Sequence, residues 1–347
     1  MKNIYNLLTV ALSLAATTVA YAQDPHLSQY FNAPQHLNPA LTGGSDYDIR
    51  VSGHYRTQWG AFTTPFNTSA VDAQYAIHSG ISDDDQMGVG LFLQNDVAGD
   101  GNLRRTQAQL SYGYFKSLGP EGTTFLSAGI QGGIIQHSLD FNKLYFDDQY
   151  DGDAVTGQQT ETIDRQSMIV PDVSAGLGLQ VAVSEQANIY AGGAVFHLNQ
   201  ANVGFYNNTK ELLYQKIHGY IGMDYMFTEA ITVSPRLVYM QQGQHRELNA
   251  GIMAKANFGS NMINDDPNAV YGGVYYRIDN NDAIIPMIRF DYGPIGISLN
   301  YDINMSKLTR VSNSYGAPEL AIIYKTNIDG KGTLRNSRNK GLPCPKF

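Results

Sequence analysis

The segment that most constrains the fold is Ile295-Gly296-Ile297-Ser298-Leu299-Asn300-Tyr301-Asp302-Ile303. Every odd position is apolar or aromatic, and every even position is Gly, Ser, Asn or Asp. Strand side chains point alternately to opposite faces, so this segment has one oily and one wet face. A soluble sandwich strand satisfies the same pattern by burying one face against a core. The choice depends on whether the pattern recurs along the chain and on what separates the recurrences.

The pattern recurs fourteen times: over 48–56, 68–78, 86–95, 103–118, 123–139, 171–184, 187–198, 212–227, 231–241, 247–258, 269–278, 283–292, 294–303 and 317–325. Segments of about ten alternating residues are the signature of an outer-membrane barrel, weak singly and strong in series. Connection lengths add a second signal. Those after even-numbered segments are mostly tight, as at Glu185-Gln186 and Gly293-Pro294, while 79–86 and 259–268 are longer. Those after odd-numbered segments include the long ones: 140–170, 199–211 and 304–316. Short turns at one end and long loops at the other are the rhythm of a barrel whose termini are both periplasmic. The fold expected is therefore all-β, a closed transmembrane antiparallel barrel of about 14 strands over 48–325.

Composition agrees. Charged residues make up 16% of the chain, below the roughly 25% of ordinary soluble domains. The 23 tyrosines suit a membrane–water interface. At net charge −8 the chain is a poor nucleic-acid partner. Residues 1–22 read as a signal peptide: Lys2, an apolar run from Leu7 to Val19, then Ala20-Tyr21-Ala22. Closure is a physical requirement, because an unpaired strand edge in hydrocarbon finds no water. Fourteen strands enclose more space than wall side chains fill. Water, a plug or a ligand must occupy it, and Gly176, Gly178 and Gly296 on the wet face leave room for an inserted segment.

Residues 23–47 do not read as a strand, because Pro25, Pro34 and Pro39 fix φ and remove donors. Two readings stand: a plug or docking element at the periplasmic mouth, or a lead-in that caps the first strand. Arg50, Arg56, Arg236, Arg277 and Arg289 fall on wet faces with Asp72, Asp224, Asp291 and Asp302, which favours a lumen wall stiffened by ion pairs over an ion-selective pore. His54, His78 and His218 read as lumen-lining. Asp147, Asp148 and Asp151 sit in an acidic loop whose spacing fails as an EF-hand: position twelve is Gln158. No metal site, cofactor or catalytic motif is expected. The tail 326–347 is basic and glycine-containing, reads as a periplasmic arm or a disordered remnant, and carries the sole cysteine, Cys344, as a free thiol or an intermolecular link.

Gln23-Asp24-Pro25-His26-Leu27-Ser28-Gln29-Tyr30-Phe31 and Leu37-Asn38-Pro39-Ala40-Leu41-Thr42-Gly43 open the mature chain. With Tyr55-Arg56-Thr57-Gln58-Trp59, His197-Leu198-Asn199-Gln200, Gly316-Ala317-Pro318-Glu319-Leu320 and the final Cys344-Pro345-Lys346-Phe347, they resemble the PorP/SprF family of type IX secretion system membrane proteins. The resemblance implies an outer-membrane protein that works with the type IX machinery and is paired with an exported surface protein such as an adhesin. Its partners would then be that machinery, the exported protein and outer-membrane lipid. Partner-facing candidates are Pro25, His26, Ser28, Gln29, Tyr30, Asn38, Pro39, Asp147, Asp148, Asp151 and Cys344. A passive channel for small solutes would use the same lumen, and a secreted lectin-like sandwich would use none.

Overall fold

In a computed structural model of the chain, the described residues are 24–60, 63–77, 85–118, 123–146, 149–151, 154–155, 162–207, 209–260, 267–279, 282–306 and 315–328. Residues 1–23, with the expected signal peptide, together with His78, Asp147, Asp148 and the tail beyond Ile328 with Cys344, lie outside them.

Five strands come first: β1 (Ile49–Gln58), β2 (Phe66–Ile77), β3 (Gln86–Ala98), β4 (Leu103–Ser117) and β5 (Thr124–Ser138). A two-residue hairpin, β6 (Tyr150–Asp151) and β7 (Ala154–Val155), interrupts the following loop. Nine more follow: β8 (Ser167–Ser184), β9 (Ala187–Phe196), β10 (Lys216–Met226), β11 (Ile231–Gln242), β12 (His245–Ser260), β13 (Pro267–Arg277), β14 (Ala283–Tyr292), β15 (Ile295–Asn304) and β16 (Ala317–Thr326). Apart from the hairpin, each strand pairs antiparallel with its neighbours in sequence, and β1 pairs with β16 from Ile49↔Thr326 to Arg56↔Glu319. The sheet is a closed fourteen-stranded barrel. All fourteen expected segments are strands of it.

Alternation assigns the faces. On β15, Ile295, Ile297 and Leu299 are exposed, while Gly296, Ser298, Asn300 and Asp302 are buried. The oily face therefore points outward, the reverse of a sandwich. Val71, Leu110, Ile130, Leu177, Ile252 and Ile322 continue this apolar belt around the wall. Tyr75, Tyr225, Phe258, Tyr292 and Tyr324 project outward near one rim, where an aromatic girdle meets the headgroups.

That rim holds the start of β1 and the end of β16, together with the tight turns between β8 and β9 and between β14 and β15. The long connections 139–166, 197–215 and 305–316 lie at the opposite rim, so it is the extracellular one. The extracellular rim also carries tight turns, between β3 and β4, where Gly99 adopts φ +67°, and between β11 and β12, where Gly243 adopts φ +58°. Loop length thus separates the rims by their longest members and not loop by loop.

Candidate functional site in the barrel lumen

Residues 24–44 run through the lumen, and nearly every one is buried. They form three short turns: a 3-10 turn Tyr30–Asn32, an α-helical turn Pro34–Leu37 and a 3-10 turn Pro39–Leu41. Pro34 and Pro39 each open a turn, where a missing N–H costs nothing. Asn38 caps the last turn by accepting from the Ala40 N–H at 2.8 Å.

The segment enters at the extracellular rim. Asp24 exchanges hydrogen bonds with Gln242, the last residue of β11, through its N–H (2.8 Å) and its carboxylate (3.2 Å). Three cations converge on that carboxylate: His197 Nε2 at 2.7 Å, Arg105 Nη2 at 3.1 Å and Lys216 Nζ at 3.3 Å. The other nitrogen of His197 lies 2.7 Å from Asp172. An imidazole with a carboxylate on each nitrogen must donate from both, which makes it an imidazolium. Burial pulls His197 toward the neutral form, but Asp24 and Asp172 outweigh burial and raise its pKa above 6.5.

A second anchor lies across the mouth. Ser28 Oγ donates to Asp302 at 2.8 Å, and the N–H groups of Ser28 and Gln29 donate to Glu319 at 2.7 and 3.3 Å. Arg56 is fully buried and ties the cluster together, donating to Ser28 Oγ at 2.7 Å and Asp302 at 2.8 Å and pairing with Glu319 at 3.4 Å. Arg56 and Glu319 sit directly opposite on β1 and β16, so this anchor spans the seam where the barrel closes. Arg277 reaches Asp302 at 3.1 Å and Glu247 at 3.2 Å. Glu247 in turn accepts from the Tyr30 hydroxyl and lies 3.7 Å from His26.

Below the mouth, an amide recurs at every third position. Gln29 donates to Asn300 at 2.8 Å, and Asn32 accepts from Arg289 at 3.0 Å. Gln35 meets Asp72 with both its side chain and its N–H at 3.0 Å, and Asn38 donates to the Leu177 carbonyl at 2.9 Å. Side-chain amides carry both donor and acceptor, so they serve a wall of mixed partners. Phe31 lies under the Arg236 guanidinium at 4.5 Å, and His36 stacks on Phe92 at 5.4 Å. Near the turn end, the Gly43 N–H donates to Gln74 at 2.9 Å, and its carbonyl accepts from Gln86, the first residue of β3.

The wall makes room with glycine. A Cβ at Gly88, Gly90, Gly113, Gly129 or Gly176 would overlap Gly43, Gln35, Thr42, Pro39 or Asn38 respectively. Of the glycines expected to leave space, Gly176 does so for the plug, whereas Gly178 and Gly296 accommodate wall residues Ser127 and Asp291. A cavity of about 20 Å³ remains between Phe31 and the Met253, Tyr271, Tyr275 and Met287 side chains, room for about one water.

Six of the sequence-derived candidates, Ser28, Gln29, Tyr30, Asn38, His26 and Pro39, are plug residues that contact the wall. Pro25 is half-buried at the mouth. They do not gather at the periplasmic mouth: the plug spans the lumen, and its outermost residues lie at the extracellular rim. The physical reason is charge, because the charged partners of Asp24 and Ser28 sit at the loop ends of β1, β4, β10 and β16. Asp151 falls in the β6–β7 hairpin within a loop, apart from these. The residues that reading passed over are Asp24, Arg105, Asp172, His197, Lys216, Glu247 and Glu319. Three of the resembling motifs meet the plug here, through Arg56, His197 and Glu319. Among the described residues, no group of three or more His, Cys, Asp or Glu side chains is arranged to hold a metal ion.

A family model described as type IX secretion system membrane protein PorP/SprF matches residues 19–324. The chain belongs to this family. Together with the closed barrel and its outward apolar belt, this places it in the outer membrane as a type IX secretion barrel. Solved barrels align with low identity. The Ralstonia pickettii toluene transporter TbuX is 12% identical over 84% of this chain and 92% of its own, with TM-score 0.49. The Pseudomonas putida toluene transporter TodX is 9% identical over 89% and 96%, with TM-score 0.47. A CymD monoaromatic hydrocarbon channel is 12% identical over 84% and 92%, with TM-score 0.45. No curated protein matches the sequence.

Proposed function

We propose that this barrel is a non-catalytic partner-binding component of the type IX system, which helps export a surface protein or holds it at the cell surface. The observation that carries this reading is the plug. Residues 24–44 cross the lumen, nearly all buried, and buried ion pairs fasten their outer end, which argues against a solute stream. What remains for function is the surface, and the long loops lie at the extracellular rim. Loops 140–170, 199–211 and 304–316 are the surfaces proposed to grip the partner. The first two are already braced against each other: Arg165 donates to Asn207 at 2.7 Å, and the Asn207 N–H donates to Asp164 at 2.6 Å. Two loops held in one orientation present a surface with less ordering cost on binding.

The test is recovery of a large exported protein with the barrel from solubilised outer membranes. Trimming within 140–170 should abolish that recovery while leaving heat-modifiable gel mobility intact. Unchanged recovery after trimming, or rapid solute flux through the native barrel in proteoliposomes, would overturn the proposal.

A further inference from the structure

We infer that the amino end of the plug, at Asp24 and Pro25, is displayed at the cell surface, as part of the face that meets the extracellular partner, although the first strand starts at the periplasmic rim. The inference rests on the outer-membrane orientation used above. The plug is directional. Gly43 lies against Gln74 and Gln86 near the turn end, and Asp24 lies against Lys216 and Gln242 at the loop end. Between those ends the chain passes Ser28 at Arg56 and Glu319 near the loop ends of β1 and β16, then Asn32 at Arg50 and Ser52, and Asn38 at Leu177 and Gly193. The amino end of the plug, at Asp24 and Pro25, thus faces the mouth between the loops, and its carboxyl end faces the turns.

Three features fit display better than passive filling. The fastening is concentrated at the outer end, where Asp24 draws three cations and Ser28 two carboxylates, whereas Gly43 at the inner end is held by amides alone. His197, which grips Asp24, opens the same 197–215 connection whose Asn207 braces the 139–166 loop. The half-buried Pro25 and His26 form the top of the plug, with His26 3.7 Å from Glu247 near the start of β12. A polypeptide partner seated on the loops therefore touches the plug from outside, without entering the lumen.

The test is cysteine labelling in a Cys344→Ser background, with a maleimide too large to cross the outer membrane, on intact and permeabilised cells. Pro25→Cys probes the outer end of the plug, Ser45→Cys its inner exit, and Tyr145→Cys the exposed long loop. An epitope inserted between Ala22 and Gln23 is a second probe that leaves the plug residues unchanged. The expected result is reaction on intact cells at Pro25→Cys or the epitope and at Tyr145→Cys, with Ser45→Cys reacting only after permeabilisation. Reaction at Tyr145→Cys alone, or at Tyr145→Cys and Ser45→Cys, overturns the inference and leaves the proposed function standing. Protection of Tyr145→Cys on intact cells overturns both.

Discussion

Arg56→Met is the most informative single change in the lumen. Arg56 is fully buried and bonds Asp302, Glu319 and Ser28 at once, linking β1, β15, β16 and the plug. Two guanidiniums, Arg56 and Arg277, face three carboxylates there, Asp302, Glu319 and Glu247. Methionine keeps most of the volume and removes the charge. Breaking a buried pair by deleting one partner costs roughly 3–5 kcal/mol. Asp302 retains Arg277 at 3.1 Å, and Glu319 retains two backbone N–H donors, which sets the lower end of that range. We expect a loss of about 3 kcal/mol, about a hundredfold in the folding equilibrium. Urea unfolding in lipid vesicles, followed by heat-modifiable mobility and tryptophan emission, reads it directly. Adding Glu319→Gln to Arg56→Met removes the stranded charge and should recover about 1–2 kcal/mol. If Arg56→Met unfolds within about 0.5 kcal/mol of the native barrel, a spread typical of surface changes, the seam anchor is not what holds the plug. A double variant as unstable as the sum of the singles refutes the charge argument.

Gly129→Val and Gly176→Val place side chains where Pro39 and Asn38 lie, so each should loosen the plug and raise protease cleavage within 24–44, while Gly219→Val, which faces open space, should not. The outer clamp should depend on pH. The His197 pKa is raised, so its contribution is complete below about 6.5 and is lost as pH rises through the higher folded value. Labelling at Pro25→Cys should therefore quicken on the alkaline side, and His197→Gln should abolish the dependence. At the turn end, Asp85 is buried; its pKa is lowered to about 2 by hydrogen bonds from Tyr114, Lys116 and the Ser117 N–H, against the opposing effect of burial. Its stabilisation is full above about 4 and fades as pH falls toward 2, a loss that Asp85→Asn should flatten in acid-denaturation curves.

The wall was legible because hydrocarbon outside and polar plug inside impose opposite demands on adjacent residues. Ile297 and Ser298 record that conflict directly, as do Leu110 and Gln109. The wet-face charges were legible for the same reason: Arg289 pairs with Asp291 two positions along β14, and Arg56 with Asp302 across β16. The depth of the plug was not legible. Its bonds join residues far apart in the chain, such as Asp24 to Gln242 and Ser28 to Glu319, and no local periodicity encodes them. A signal was present, however. Gln29, Asn32, Gln35 and Asn38 recur every three residues in a proline-punctuated stretch, which a free lead-in has no reason to do. Glu319 escaped because one acidic residue on a wet face looks like any other until the opposite strand is known.

Single-channel conductance in planar bilayers tests the central claim most directly, comparing the native barrel with a variant lacking residues 24–42. The native protein should stay closed or nearly so, and the deletion should open steps of porin size. Equal conductance from the two would show that the segment does not seal the lumen, and the plugged barrel would have to be abandoned.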